Sequence, residues 1–255
     1  MSRSWREPLV ALGLPAAVFV AASVGFVCSV LPGVEPPPAV VQPDGDGQVA
    51  SPPAGPTATS APVPDVDDAP TASQEALDLL AALPSAGAPA TGYERAAFGP
   101  GWRDPDRNGC DARNDILARD LIDVAFRPGT NDCVVASGTL LDPYTGNTIH
   151  FVRGNVTSEA VQIDHIVPLA WAWRNGASAW DALTRELFAN DPENLRAVDG
   201  PTNMAKSDSG PSGWWPPNPE FRCEYAVAFT HVLAKYELAV PEADRRSLRE
   251  TLERC

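Results

Sequence analysis

Gln162-Ile163-Asp164-His165-Ile166-Val167-Pro168-Leu169 decides the fold, because it sets an acid and a histidine at the end of a short β-like run that a proline closes. Downstream come Asp191-Pro192-Glu193-Asn194-Leu195 and then Asn203-Met204-Ala205-Lys206. Residues 161–163 read as one strand, residues 195–198 as a second, and Asn203 and Lys206 as members of a helix following it. An acid beside a His at a strand end can divide labour. The carboxylate binds a hard divalent cation, and the imidazole, whose pKa lies near neutrality, takes a proton from water. Asn203 offers a neutral oxygen ligand, and Asn194 offers a hydrogen bond that orients the loop carrying the base. One Mg2+ or Mn2+ held this way would stabilise charge on a phosphoryl group and its leaving oxygen.

Upstream, residues 114–126 carry Ile116, Leu117, Leu121, Ile122 and Val124 at helical spacing. Residues 133–141 and 148–152 are strand-like around the turn sequence Asp142-Pro143-Tyr144-Thr145-Gly146, which predicts a hairpin after that helix. Residues 177–188 read as a helix, and residues 223–236 and 241–254 as two more, the last with Pro241 in its first turn. Trp171, Trp173 and Trp180 are expected in the core, and Trp214 and Trp215 over the 161–206 unit. His231, on an apolar helix, reads as a core or surface His. No internal repeat is visible.

Composition bounds the function. The chain has 255 residues with 19 Lys and Arg against 33 Asp and Glu, a net charge of −14, so it does not coat nucleic acid by bulk electrostatics. Residues 9–31 are almost uninterruptedly apolar, and as a helix they would cover the ~30 Å of a bilayer core. Arg3 and Arg6 precede them, which keeps the amino terminus inside and sends the rest out. Residues 1–31 are therefore a signal anchor, the favoured reading, or a signal peptide cleaved near residues 21–25. Cys28 follows Val27, which does not suit a lipoprotein signal. Residues 32–72 hold 11 Pro and no aromatic residue, a Pro-rich disordered linker. Residues 73–90 read as a linker helix, with the start of the ordered region as the other reading of the amphipathic stretch 74–83, and residues 91–255 as the folded domain, with 17 basic and 24 acidic residues. Its four cysteines, Cys110, Cys133, Cys223 and Cys255, imply two disulfides outside the cytoplasm. Cys110 with Cys133 and Cys223 with Cys255 is favoured of the three connectivities, because each pair brackets a local unit. With 3 His and no C-x-x-C spacing, zinc is disfavoured.

The order Asp164-His165, Asn194, Asn203-x-x-Lys206 resembles the HNH endonucleases. The wider pattern is similar to an exported subgroup related to the carboxy-terminal HNH domain of GmrSD-type restriction enzymes. That pattern comprises Gly101-Trp102, Asn108-Gly109-Cys110-Asp111, Arg113-Asn114-Asp115, the turn at residues 142–146, and Phe188-Ala189-Asn190-Asp191-Pro192. The resemblance covers residues 92–255. It implies an α+β fold with a ββα-metal (His-Me finger) core, added helices and a hairpin. It implies His165 as general base, Asp164 as first metal ligand, Asn194 as the middle Asn and Asn203 as second ligand. The chain departs from the name-giving pattern in having Asn203 where a His is usual, which favours Mg2+ or Mn2+ over softer ions. The long His165-to-Asn203 spacing requires residues 171–188 to be an inserted helical excursion. The substrate implied is nucleic acid, DNA favoured over RNA, hydrolysed on the extracellular face of the membrane or after secretion, with no organic cofactor.

Lys206, Arg153, Tyr144 and Arg95 are candidate phosphate contacts, with a solvated helix face as the alternative for Lys206. Asp104, Asp106, Asn108 and Asp115 occupy positions 1, 3, 5 and 12 of a calcium-loop pattern, with Gly109 at position 6. A structural Ca2+ is one reading, and a tight acidic turn capping the next helix is the favoured one. The rival from another class is a non-catalytic, calcium-stabilised surface module that binds a partner.

Overall fold

The computed structural model describes residues 71–154 and 157–255. The apolar stretch 9–31 and all but the last residues of the Pro-rich segment lie outside the described residues. Among the described residues, no helix is long and apolar enough to cross a membrane.

Thr71 caps the first helix, α1 (Ala72–Ala82), by accepting from the Gln74 amide. Of the residues 73–90 read as a linker helix, those to Ala82 are helical, and they pack into the folded domain, the other reading of that stretch. Ala76 and Leu80 sit in the main core, and Arg245 donates to the carbonyls of Leu80, Leu83 and Pro84, which ties the end of α1 into the domain. Next come α2 (Ala112–Asp120), capped by Asp111, and β1 (Leu121–Phe126), with no residue between them. The helix expected over 114–126 therefore ends at Asp120. Leu121 pairs opposite Leu140 and Ile122 opposite Thr139, so cross-strand pairing claims the residues whose spacing suited either structure. β2 (Val135–Leu141) and β3 (Thr148–Val152) complete a three-stranded antiparallel sheet in the order β1-β2-β3.

The second sheet has two antiparallel strands. β4 (Val161–His165) leads through α3 (Leu169–Arg174) and α4 (Ala182–Ala189) to β5 (Leu195–Asp199), with Asp164 opposite Arg196 and His165 opposite Leu195. α5 (Gly200–Lys206) starts at once, capped by the Asp199 carboxylate on the Thr202 amide. α6 (Arg222–Lys235) and α7 (Glu242–Leu252) finish the domain. Disulfides join Cys110 to Cys133 and Cys223 to Cys255.

Alternation along β4 and β5 sorts their residues between two cores. Val161, Ile163, Leu195 and Ala197 pack with Ile116, Leu117, Leu140 and Phe151 under the first sheet. Val198 joins Trp171, Phe188, Tyr225 and Phe229 in the larger helical core. Gly200 seats α5 against the chain entering β4: a Cβ there would lie 2.0 Å from the Glu159 carbonyl oxygen, and the Gly200 amide donates to Ala160.

Candidate active site

Val161 and Ile163 of β4 feed the core, so Gln162 and Asp164 present themselves on the other face. α5 lies on that face with two side chains one turn apart. Asn203 donates from Nδ2 to Gln162 Oε1 at 2.9 Å, and Lys206 donates from Nζ to Asp164 Oδ2 at 2.5 Å. An i, i+3 pair on the helix thus meets an i, i+2 pair on the strand. The spacing Asn-x-x-Lys is the complement of Gln-x-Asp.

Lys206 is fully buried. Besides Asp164 it donates to the carbonyls of His165, at 2.7 Å, and Ile166, at 3.1 Å. Three acceptors match the three donors of an ammonium, whereas a neutral amine would have only two N–H to give. The arrangement suits an ammonium opposite a carboxylate: burial lowers the Lys206 amine, and the Asp164 charge and hydrogen bond pull it back up. Burial raises the Asp164 carboxyl above its ordinary range, and the Lys206 charge pulls it back. The same Oδ2 accepts from the Tyr144 hydroxyl at 2.5 Å. Tyr144 is delivered there by the turn at residues 142–146, whose Asp142 carboxylate accepts from the amides of Thr145 and Asp199.

His165 is almost buried, and its Nε2 lies 2.8 Å from the Ala189 carbonyl oxygen. A carbonyl only accepts, so the proton of the neutral ring sits on Nε2 and Nδ1 keeps a free lone pair. Burial holds the imidazole down at about 4, against the Ala189 hydrogen bond, so the neutral form prevails at physiological pH. Trp102 lies nearly parallel to the ring, at 6° with centroids 6.1 Å apart. Asn194 is fully buried and grips the loop after His165 at both ends of one residue: Oδ1 accepts from the Val167 amide at 2.8 Å and Nδ2 donates to its carbonyl at 3.3 Å.

Asp164, His165 and Asn203 line one cleft of about 620 Å³ together with Tyr93, Arg95, Gln162 and Asp208. Of the four phosphate candidates only Arg95 lies there. Lys206 and Tyr144 have no exposed surface, so neither can touch a phosphate. Arg153 donates from Nε to Val135 O at 2.6 Å and from its guanidinium to Asn114 Oδ1 at 2.5 Å, which commits it to the first sheet. Asp104, Asp106 and Asp115 do gather, but around Asn108. Its Nδ2 donates to Asp106 and Asp115, and its amide to Asp104 and Asp106. Among the described residues no three His, Cys, Asp or Glu side chains are arranged to hold a metal ion.

Sequence reasoning missed Gln162, Tyr93, Trp102 and the Ala189 carbonyl. Gln162 had a signal, two residues before Asp164 on an alternating strand; the other three reach the site through tertiary packing alone. As a metal site the donor set is thin but hard. The Gln162 bond commits the Asn203 nitrogen and leaves its oxygen, and both side-chain donors to Asp164 fall on Oδ2, with the His165 amide a further donor to the carboxylate. One carboxylate, one amide oxygen, water and a substrate phosphate is a set that suits Mg2+ or Mn2+.

The protein-family model described as GmrSD restriction endonucleases, C-terminal domain, matches residues 111–251. A protein of Arthroderma benhamiae described as an uncharacterized secreted protein is 36% identical over 202 residues, covering 78% of this chain and 93% of the relative. No solved structure matches the chain.

Proposed function

The chain belongs to the family of GmrSD restriction endonuclease C-terminal domains, and from that premise we propose that it is a metal-dependent HNH-type endonuclease that hydrolyses phosphodiester bonds of DNA outside the cytoplasm. The observation that carries this reading is the fixed tautomer of His165 beside Asp164 and Asn203 in one cleft. His165 Nδ1 takes a proton from water, the water oxygen attacks phosphorus, and the P–O bond to the leaving oxygen breaks, the departing alkoxide taking its proton from solvent water. The imidazolium formed keeps its Nε2 bond to Ala189, so the ring need not turn during the step. Asp164 Oδ1 and Asn203 Oδ1 would hold Mg2+ or Mn2+, which when bound supplies positive charge to the phosphoryl oxygens. Arg95 adds a second positive contact, and Asn194 keeps the loop after the base from shifting. Two disulfides and the relative described as secreted support action outside the cytoplasm.

The experiment is cleavage of plasmid DNA and of RNA by the oxidised protein with Mg2+, Mn2+, Ca2+ or EDTA, beside His165→Ala. General-base catalysis is typically worth about 10²- to 10⁴-fold, and the variant should lose that factor while its circular dichroism is unchanged. Cutting of DNA, dependent on metal and absent from the variant, is the expected result; preferential cutting of RNA would reassign the substrate. A folded protein that cuts neither polymer in any metal, or a variant as active as the parent, would overturn the reading.

A further inference from the structure

The buried ammonium of Lys206 has no part in the hydrolysis described above, yet it is the group most closely engaged with the proposed metal ligand. We propose, resting on the nuclease reading, that Lys206 is a positioning residue that gives Asp164 a resident counter-charge, so that the divalent cation is held weakly until a phosphodiester arrives.

Charge and geometry point the same way. The Asp164 carboxylate and the Lys206 ammonium, 2.5 Å apart, cancel. Asn203 is neutral, the His165 ring is neutral, and Asp208 is already ion-paired with Arg174 at 2.6 Å. Arg95 is then the uncompensated charge lining the cleft, and it repels a dication. An incoming phosphodiester reverses that balance, because it brings one negative charge and two free oxygens to the place where the protein offers two. Lys206 also fixes the direction of the carboxylate. Tyr144 and Lys206 both occupy Oδ2, and Lys206 is itself pinned by the carbonyls of His165 and Ile166, so the carboxylate cannot turn without breaking the connection between β4 and α5.

The test is Mn2+ binding at pH 8 to the oxidised full-length protein and its Lys206→Met variant, by isothermal titration and by the electron paramagnetic resonance signal of free Mn2+. Removing one positive charge a few ångströms from a dication should tighten Mn2+ about ten-fold or more in the absence of nucleic acid. It should also lower kcat, because the carboxylate loses its fixed direction. Folded Lys206→Met with unchanged or weaker Mn2+ affinity overturns the proposal. If that variant does not fold, Lys206→Gln takes its place: it removes the same charge while keeping amide donors in the pocket, and Mn2+ should again tighten about ten-fold. An unchanged or weaker value there overturns the proposal equally. Failure of the nuclease reading is separately visible, as parent protein that neither cuts nucleic acid nor binds Mn2+ in its presence.

Discussion

His165, the proposed base, is kept neutral by burial, and burial has a thermodynamic signature that does not depend on catalysis. Its folded-state pKa is about 4, below the ordinary 6.5, so between those values the unfolded chain takes a proton that the folded one refuses. A depressed histidine pKa makes the contribution complete above pH ~6.5 and lost progressively as pH falls toward 4, by about 3 kcal/mol in all. Denaturant unfolding of the parent and of His165→Gln in EDTA, from pH 8 to pH 4, should show the parent losing about that much more stability than the variant. A difference between them that stays flat with pH would mean the ring is not buried in the neutral form. At this scale the sequence was a good guide to the residues that line the cleft. Asp164 and Asn203 are placed by strand and helix periodicity, and His165, the last residue of β4, enters the same cleft where the strand ends. It was a poor guide to Lys206, Tyr144 and Arg153, which as residue types suit phosphate. Only packing reveals that the first two are enclosed and that Arg153 holds Asn114 and a strand carbonyl.

The site depends on how α5 lies across β4, and that contact rests on a residue with no side chain. Gly200 brings α5 to within 2.0 Å, measured from its absent Cβ, of a backbone oxygen at Glu159 that cannot swing away. Gly200→Ala should therefore destabilise by about 2 kcal/mol or more despite alanine's better helix propensity, as overpacking against backbone does. The strain has to displace α5, which carries Asn203, so nuclease activity should fall further than stability alone explains at a temperature where the variant is fully folded. Urea unfolding and a cleavage assay on the same preparation measure both; a variant as stable as the parent would show that α5 is not seated as described. The elements themselves were legible unevenly. The strands expected at 161–163 and 195–198, which run on to His165 and Asp199, and the helix after them were legible because each run is short and closed by a nearby Pro or Gly. Residues 114–126 were not, since Leu121, Ile122 and Val124 satisfy a helical period and a strand equally, and the partner strand β2 decides. Residues 74–83 read equally as a linker helix or as the start of the folded domain, because their anchor, Arg245, lies in the last helix.

At the scale of the molecule, two properties were plain from composition: cysteines that staple the fold, and an acidic chain. The bridges close loops with sequence separations of 23 and 32, and in the loop-entropy treatment each is worth about 3 to 4 kcal/mol, so reduction without denaturant should lower Tm sharply. The acidity raises the harder question of how such a protein would hold a polyanion. Most of its cations are spent internally. Arg103, Arg119, Arg174, Arg196, Lys206 and Lys235 are ion-paired, and Arg113, Arg185, Arg222 and Arg245 give their guanidinium N–H groups to backbone carbonyls. Arg95 is the guanidinium that lines the cleft. A protein that neutralises Z phosphates loses affinity with salt at a logarithmic slope of about −0.9Z, so one or two contacts predict a slope near −1 to −2 for duplex DNA. The measurement is kcat/KM on a short duplex from about 50 to 200 mM KCl at saturating Mg2+, a span in which an extended basic groove would lose at least ~10³-fold. With Arg95→Ala the slope should fall by about one further unit, since one neutralised phosphate is lost. A parent slope steeper than about −4 would place a basic track outside the cleft and refute a grip confined to the phosphate being cut. A shallow slope would explain how an acidic domain can act on nucleic acid without first concentrating it. The selectivity then lies in the fit of one phosphate to His165, Asp164, Asn203 and Arg95, and the polymer beyond that phosphate contributes little to binding.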